Sequence, residues 1–555
     1  MLAVGSRGDV EPYCSLIQKL LSCNNNVFVA DNVYDFDHDD DKHQSHLFYE
    51  YHIDIFLQQN LTYMVQPYIS NPRFKLHELP FASNDFHSVP HKEYPNNPDP
   101  IKMKNVCRLA DIITGLILPC TKHIYETITV TAAVADDDDD DDDSSSFHSS
   151  NINTVIITSA MTRNVALLIG MKLNIPVLLL HLQPLMPNKQ YPSYRTMRRE
   201  FVEQCCSKRI DEVADTDETN KSNNENSIDY EETYWRIEYV LEECLLKEYV
   251  MKEWKMMLET LDDGQDSSIT SDDKDNNLYS VPSSQSYWSK LQRILTGKHP
   301  NVWIVNAYSN ELIPKLVDEG PNVYEVGPLA DSYIPPDFDS SKYVSLLDRF
   351  LQQGSVNKPI CIGFGSMPFR QDVKIVLEAI RVLNVRAILI GNDLYVPQTH
   401  LMAKEGQIVW FPSIPYSYIL PKCSMMICHG GIGVVQACLY AGIPCLVSPL
   451  MGDQLALSEL LDAKKLGVRI GGRDGKLSNL TSHDIVEAVT KVLLESNDVD
   501  GSDDVDDHNI IKNCYKLGKK IRQERASILQ NDISKKESLS TGVDKFVQIL
   551  EQHIL

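Results

Sequence analysis

MMICHGGIGVVQACLYAGIPCLVSPLMGDQ, running from Met425 to Gln454, is the stretch whose reading decides the fold. A short apolar run, Met425 to Cys428, ends in His429 and a glycine-spaced turn at Gly430, Gly431 and Gly433. A segment of helical character follows, then a second apolar run behind Pro444 and the triplet Gly452-Asp453-Gln454. A strand that passes through a glycine turn into a helix leaves unpaired backbone N–H groups and the positive end of the helix dipole facing an anion. His429 adds a side-chain donor at the same place. One strand further on, Asp453 beside Gln454 offers the acceptors and donors that engage several sugar hydroxyls at once. The order suits a sugar nucleotide, whereas the glycines alone would only shape a strand-to-helix turn.

The same strand, glycine loop and helix recur outward from this stretch. The chain opens on MLAVGSRGDVEPYCSLIQKLL, with Gly5 and Gly8 in the loop and Pro12 at the start of an amphipathic spacing. KPICIGFGSMP, from Lys358 to Pro368, is another strand running into a Gly-Ser turn. From Thr154 to Tyr194 the sequence gives strand, helix, strand and a Pro-rich loop, a βαβ unit that requires parallel pairing. VFVA at Val27 to Ala30 reads as the second strand, Arg108 to Ile124 has helical spacing, and RAILIG and QIVWF continue the alternation. The first apolar run is unusually short, as at an incomplete N-terminus.

These motifs resemble the nucleotide-sugar signature of GT-B glycosyltransferases, within them the sterol 3-β-glucosyltransferase and antibiotic glycosyltransferase branch. That branch carries a pattern close to HHGGAGT followed by P and GDQ, an opening close to GSRGDVQP, and an FGS turn. The resemblance implies an α/β protein of GT-B type, two Rossmann-like parallel-sheet domains facing a central cleft. Residues 1–309 would form the acceptor side, 310–340 a linker, and 341–555 the UDP-sugar side, with a last helix, Val543 to Ile554, packing back on the first domain. Ligands at the carboxyl ends of parallel strands are what such sheets generally hold.

Roles carry over by the same resemblance. Ser366 and His429, with Gly430, Gly431 and Gly433, would meet the diphosphate, Trp410 would lie by the uracil ring, and Asp453 and Gln454 would hold the sugar. Arg7, His181, Pro184 and Tyr191 would border the acceptor. Asp9 stands where a base would deprotonate the acceptor hydroxyl, a place held by His in plant small-molecule glucosyltransferases. Each has a plainer reading: Asp9 as a helix cap, Trp410 and His181 as core residues. Two positions depart from the pattern. Val434 replaces a Ser or Thr that hydrogen-bonds phosphate, and Cys428 replaces the first His of the pair. The implied reaction is inverting and needs neither metal nor cofactor: a hexose, by resemblance glucose, passes from a UDP-sugar to a lipophilic hydroxyl acceptor, by resemblance a sterol. A catalytically silent nucleotide-sugar-binding or scaffold protein on the same fold is the alternative.

Composition bounds the rest. The 555 residues, 43% of them hydrophobic, are enough for two large domains and insertions. A formal charge of -25 would repel a phosphate backbone and argues against a nucleic-acid partner. The 13 Cys include no CxxC pair, which fits a reducing cytoplasm, and Cys428 and Cys438 read as small buried hydrophobes. The most apolar window is broken by Lys172, Asn174 and Pro176, so it does not read as a membrane span, and membrane contact is expected to be peripheral. Acidic stretches at about 136–150, 211–229 and 262–285 read as disordered inserts. The His/Asp-rich DFDHDDDKHQSH reads as a solvated loop and not a metal site, and the Asp run is not a metal-binding DxD. Between the second and third inserts an aromatic helix carrying Trp235, Tyr239, Leu245, Leu246, Val250, Trp254 and Leu258 is either core or a lid over an apolar acceptor.

Overall fold

The structure is a computed structural model. It describes residues 1–4, 7–22, 51–82, 85–86, 88–92, 104–136, 154–187, 230–259, 284–313, 315, 319–330, 333–335, 338–352, 358–365, 369, 371–395, 406–450, 453–472, 475–495, 509–530 and 542–554. VFVA, the His/Asp-rich loop, and nearly all of the three acidic inserts lie outside the described residues. Asp136, however, closes the helix Thr121–Asp136, and the third insert gives its last two residues to the helix Ser284–Leu295.

Two parallel sheets form, one per domain. The first contains β1 (Leu2–Ala3), β2 (Ile53–Gln58), β3 (Phe74–Leu79), β4 (Ile156–Thr158), β5 (Val177–His181), β6 (Val302–Asn306) and β7 (Val323–Glu325). Its order is β3-β2-β1-β4-β5-β6-β7. The second contains β8 (Ile360–Gly363), β9 (Ala387–Ile390), β10 (Ile408–Phe411), β11 (Met425–Cys428), β12 (Cys445–Val447) and β13 (Gly467–Arg469), in the order β10-β9-β8-β11-β12-β13. In both sheets the order reverses once, between β1 and β4 and between β8 and β11, and a crevice opens there at the carboxyl ends of the strands. At the first of these reversals the Thr162 hydroxyl lies 2.7 Å from that of Thr158 and 3.2 Å from the Leu2 carbonyl, tying β4 to β1.

Alternate residues of β5 show why this sheet needs helices on both faces. Val177 and Leu179 pack with the helix Arg163–Leu173 and with Ile237, Leu241 and Val250, while Leu178 and Leu180 pack with Val10, Tyr13 and Ile17 of the helix Arg7–Ser22. The aromatic segment runs as the helix Tyr230–Tyr239, a π-turn over Val240–Leu246 and the helix Lys247–Glu259. Ile237, Val240, Leu241, Leu245, Leu246 and Val250 are buried in the first domain while Tyr239 is exposed, so the segment is core and not a lid, and the Trp254 and Leu258 side chains lie outside what is described.

Chain crossings fix where the domains part. Ala307 belongs to the core of the first domain, and Tyr308, Leu312 and Ile313 to that of the second. The chain then returns, because Val323 is buried beside Val302 and Ile304, and β7 joins the first sheet inside the span 310–340 expected as a linker. Three prolines around a three-residue strand hide it in the sequence. The last helix, Gly542–Ile549, packs Val543, Phe546 and Val547 into the first domain, with Lys19 2.8 Å from Asp544 and the Tyr51 hydroxyl donating to Glu551 at 2.6 Å. Gly542 is required there, since a Cβ would stand 2.3 Å from the Pro328 carbonyl oxygen.

Phe546 is completely buried in this contact. Phe546→Ala should cost on the order of 3–5 kcal/mol in the unfolding transition of the first domain, read by chemical denaturation. An unshifted transition would show that the last helix is not part of that core.

Candidate active site

His429 follows β11 at the reversal of the second sheet, and its position explains two glycines. A Cβ on Gly365, at the end of β8, would come 2.9 Å from the His429 Cε1, and one on Gly431 would come 2.6 Å from its Nε2. The imidazole is wedged between the turns of two adjacent strands, where no side chain fits. Gly430 has φ +85 and faces Val447. Gly433 opens onto free space. The helix Ile432–Ala441 starts at Gly431 with its N-terminus toward the crevice. Burial lowers the His429 pKa to about 4, so the ring is neutral at pH 7, and its Nδ1 is buried with no hydrogen-bond partner among the described residues. A neutral imidazole with free hydrogen-bonding capacity can donate one N–H to an anion without charge.

Asp453 heads the helix Asp453–Ala463. Burial first, and then the Asp9 charge in the other domain, raise its pKa to about 7 against the N–H groups of Asp453, Gln454 and Ile432, which favour the ionised form. The Asp453 carboxyl therefore reaches the first residue of the helix after His429 and senses Asp9 across the cleft. Gln454 is buried, and its Oε1 accepts the Leu450 N–H at 2.8 Å. Of the Asp-Gln pair, Asp453 meets the cleft while Gln454 braces the loop that presents it.

On the first domain, Asp9 lies in the first turn of the helix Arg7–Ser22, and its Oδ1 accepts the Gln183 Nε2–H at 3.2 Å. Gln183 was missed in the sequence, although it sits between the two residues picked out from its loop, His181 and Pro184. His181 is buried at the end of β5 in register with Asn306, as a core histidine would be, and Pro184 is buried behind the same loop. Ser366 and Tyr191 lie outside the described residues, and Arg7 is described only in its backbone. Trp410 is half-buried on β10. Its indole N–H donates to the Gly391 carbonyl at 2.8 Å and its ring meets Tyr395 edge-on at 4.8 Å, so it is pinned at the carboxyl end of an edge strand. Val434 is buried in the second core and offers the crevice no hydroxyl.

Cys428 and Cys438 are fully buried free thiols, and burial pushes Cys438 up to about 11. Among the described residues no group of His, Cys, Asp and Glu is arranged to hold a metal, and no helix is long and apolar enough to cross a membrane.

Residues 402–499 match the family model for UDP-glucoronosyl and UDP-glucosyl transferase. A sterol 3-beta-glucosyltransferase of Arabidopsis thaliana is 31% identical over 167 residues, covering 29% of this chain and 24% of its own. A sterol 3-beta-glucosyltransferase of Komagataella phaffii is 27% identical over 201 residues, covering 35% and 14%. The chain thus spans about a quarter or less of the length of these relatives. Among solved structures, the calicheamicin glycosyltransferase superposes with TM-score 0.53 at 11% identity over 100% of this chain and 98% of that one. UGT71G1 of Medicago truncatula, complexed with UDP-glucose, gives 0.51 at 13% over 99% and 96%. At these identities the likeness is one of fold, and the fold is GT-B.

The two shifted groups give opposite pH slopes. Asp453, raised from 3.8 to about 7, holds a proton in the folded state that the unfolded chain has lost, so its contribution falls as pH rises from about 4 to 7. His429, lowered from 6.5 to about 4, makes stability rise with pH between about 4 and 6.5. Asp453→Asn should therefore leave a melting temperature that climbs with pH in this window more steeply than in the wild type, and His429→Ala one that falls. Parallel profiles for all three proteins would mean that neither group is shifted.

Proposed function

We propose that this chain, a GT-B protein of the sterol glucosyltransferase-like family, transfers a hexose from a UDP-sugar to the hydroxyl of a lipophilic acceptor. What supports the reading is placement: Asp453 starts a helix of the donor half, Asp9 lies in the first helical turn of the acceptor half with Gln183 at 3.2 Å, and the two carboxyls are near enough for Asp9 to raise the Asp453 pKa. In this reading the first carboxyl holds the sugar and the second is the base. The named relatives favour glucose as the sugar and a sterol as the acceptor.

The reaction is a direct displacement with inversion. Asp9, oriented by Gln183, takes the acceptor proton as the acceptor oxygen forms its bond to the anomeric carbon. The bond from that carbon to the diphosphate breaks on the opposite side. His429, the Gly-Ser turn with Ser366, and the N-terminus of the helix Ile432–Ala441 receive the negative charge of the leaving UDP. Asp453 accepts hydrogen bonds from the sugar hydroxyls, and Trp410 offers a ring face to the uracil. No metal enters this scheme, since those donors neutralise the leaving group. Val434 removes one hydrogen bond, which weakens donor binding by about 0.5–1.5 kcal/mol. The site is reached by a lipophilic acceptor from the cytoplasm, at a membrane surface without spanning it.

UDP without Mg²⁺ should stabilise the protein by about 2.7 kcal/mol at a concentration about a hundred times its Kd, and His429→Ala should remove most of that shift. A melting-temperature increase that requires metal would contradict the scheme. Asp9→Asn separates base from cap, because Asn caps a helix about as well yet takes no proton at neutral pH. That variant should fold, bind UDP, and turn over a UDP-hexose with a sterol mixture at least about a hundredfold more slowly than the wild type. Near wild-type turnover would remove Asp9 from the base role, and no turnover by the wild type with any sterol or phenol would leave a silent binding protein.

A further inference from the structure

Where the chain first leaves β6 for the second domain, one buried side chain meets it. Gln436 lies on the helix Ile432–Ala441, about one turn beyond the glycines that hold His429, and is 5% exposed. Its Oε1 accepts the Ser309 N–H at 2.9 Å and its Nε2 donates to the Ala307 carbonyl at 3.4 Å. Ala307 and Ser309 are buried too, so both bonds are shielded from water. An amide matches this pair of groups in one orientation only, because the acceptor must face the N–H and the donor the carbonyl. Beside the apolar packing of Tyr308, Leu312 and Ile313, two further polar contacts on this crossing are weaker. Lys520 pairs with Glu311 at 2.7 Å and Lys464 reaches the Glu311 carbonyl at 3.4 Å, the first of these in solvent, where such contacts contribute little.

We propose that Gln436 is a positioning residue that fixes the angle between the two domains and thereby aligns the donor carbon with the acceptor oxygen. The inference rests on the transfer reading above. The helix that presents its N-terminus to the diphosphate is tied by Gln436 to the end of β6, in the sheet whose reversal point carries Asp9. A slip at this tie displaces the two halves of the reaction relative to each other without altering either half. Gln436 itself lies past the crevice and touches no reacting group.

Gln436→Met keeps the volume and removes both bonds, while Gln436→Glu keeps the acceptor for the Ser309 N–H and loses the donor. In the full-length chain, the Met variant should bind UDP within about twofold of wild type yet turn over acceptor roughly ten- to a hundredfold more slowly at saturating donor, since small misplacements of reacting groups are that costly. The Glu variant should recover part of that loss, and solution X-ray scattering should show a wider spread of domain separation in the Met variant than in wild type. A Met variant with wild-type kcat and an unchanged scattering profile overturns the proposal. Should the Met variant fail to fold, the Glu variant carries the same comparison. If the wild type itself turns over no acceptor, the transfer reading fails, and the scattering profiles alone then decide whether Gln436 is the clamp.

Discussion

Two reversal points must face each other across one cleft, and the rest of the structure serves that constraint. Each sheet changes direction once, so each has one crevice at its carboxyl edge, and the proposed transfer needs the two crevices opposed. Asp9 follows β1 and His429 follows β11, the strands that flank those points. The chain enforces the arrangement by crossing repeatedly. It enters the second core at Tyr308, returns to β7, leaves again, and finally sends its last helix back to the first core. A single flexible linker would let the halves drift. Several crossings with buried residues on both sides limit that drift.

The cleft is built so that its charges are expensive. A carboxyl at Asp453 in partial burial, with a second carboxylate opposite, favours its neutral form, and the backbone N–H groups at two helix starts work against that. His429, buried and neutral, forms no ion pair with it. Among the described residues the donors at this crevice carry no fixed positive charge, and in the proposed reading an entering diphosphate supplies the negative charge they would hydrogen-bond. With Val434 in place of a hydroxyl, the proposed reading puts more of that task on His429 and the backbone than the pattern this chain resembles does.

Strands that end in glycine turns were legible because a continuous apolar run and a Gly-rich stop coincide only where a buried parallel strand meets a helix. β1, β8 and β11 have this form, while β4 and β5 were read from the strand-helix-strand alternation that ends in a Pro-rich loop. β2 and β3, IDIFLQ and FKLHEL, were not seen, because β3 is an edge strand with polar residues at every second or third place and β2 is a short run that follows the His/Asp-rich stretch. At the site, the residue types were readable and their division of labour was not. Nothing in Gly-Asp-Gln says that the Gln braces the loop while the Asp faces the cleft, and nothing marks Gln183 or Gln436, since a polar side chain in a loop or helix normally faces water.

The aromatic segment shows the same limit more sharply. Its spacing allowed either a lid or a core helix, and a buried charge cluster excludes the lid as strongly as the buried apolar face does. Arg163, at the start of the helix after β4, is buried with its Nη2 3.0 Å from Glu238 and 2.5 Å from Glu242, and Asn164 donates to the other oxygen of Glu242 at 2.9 Å. Both glutamates lie on the aromatic segment and are fully buried. Lifting that segment as a lid would strand a guanidinium and two carboxylates away from their partners, and breaking a buried pair of this kind costs about 3–5 kcal/mol. A lid must open on each turnover against a barrier far smaller in its equilibrium cost, so the segment is an anchor. The helix after β4, and with it the edge of the first crevice, is held in place by the very residues whose charge would have suggested a solvent face.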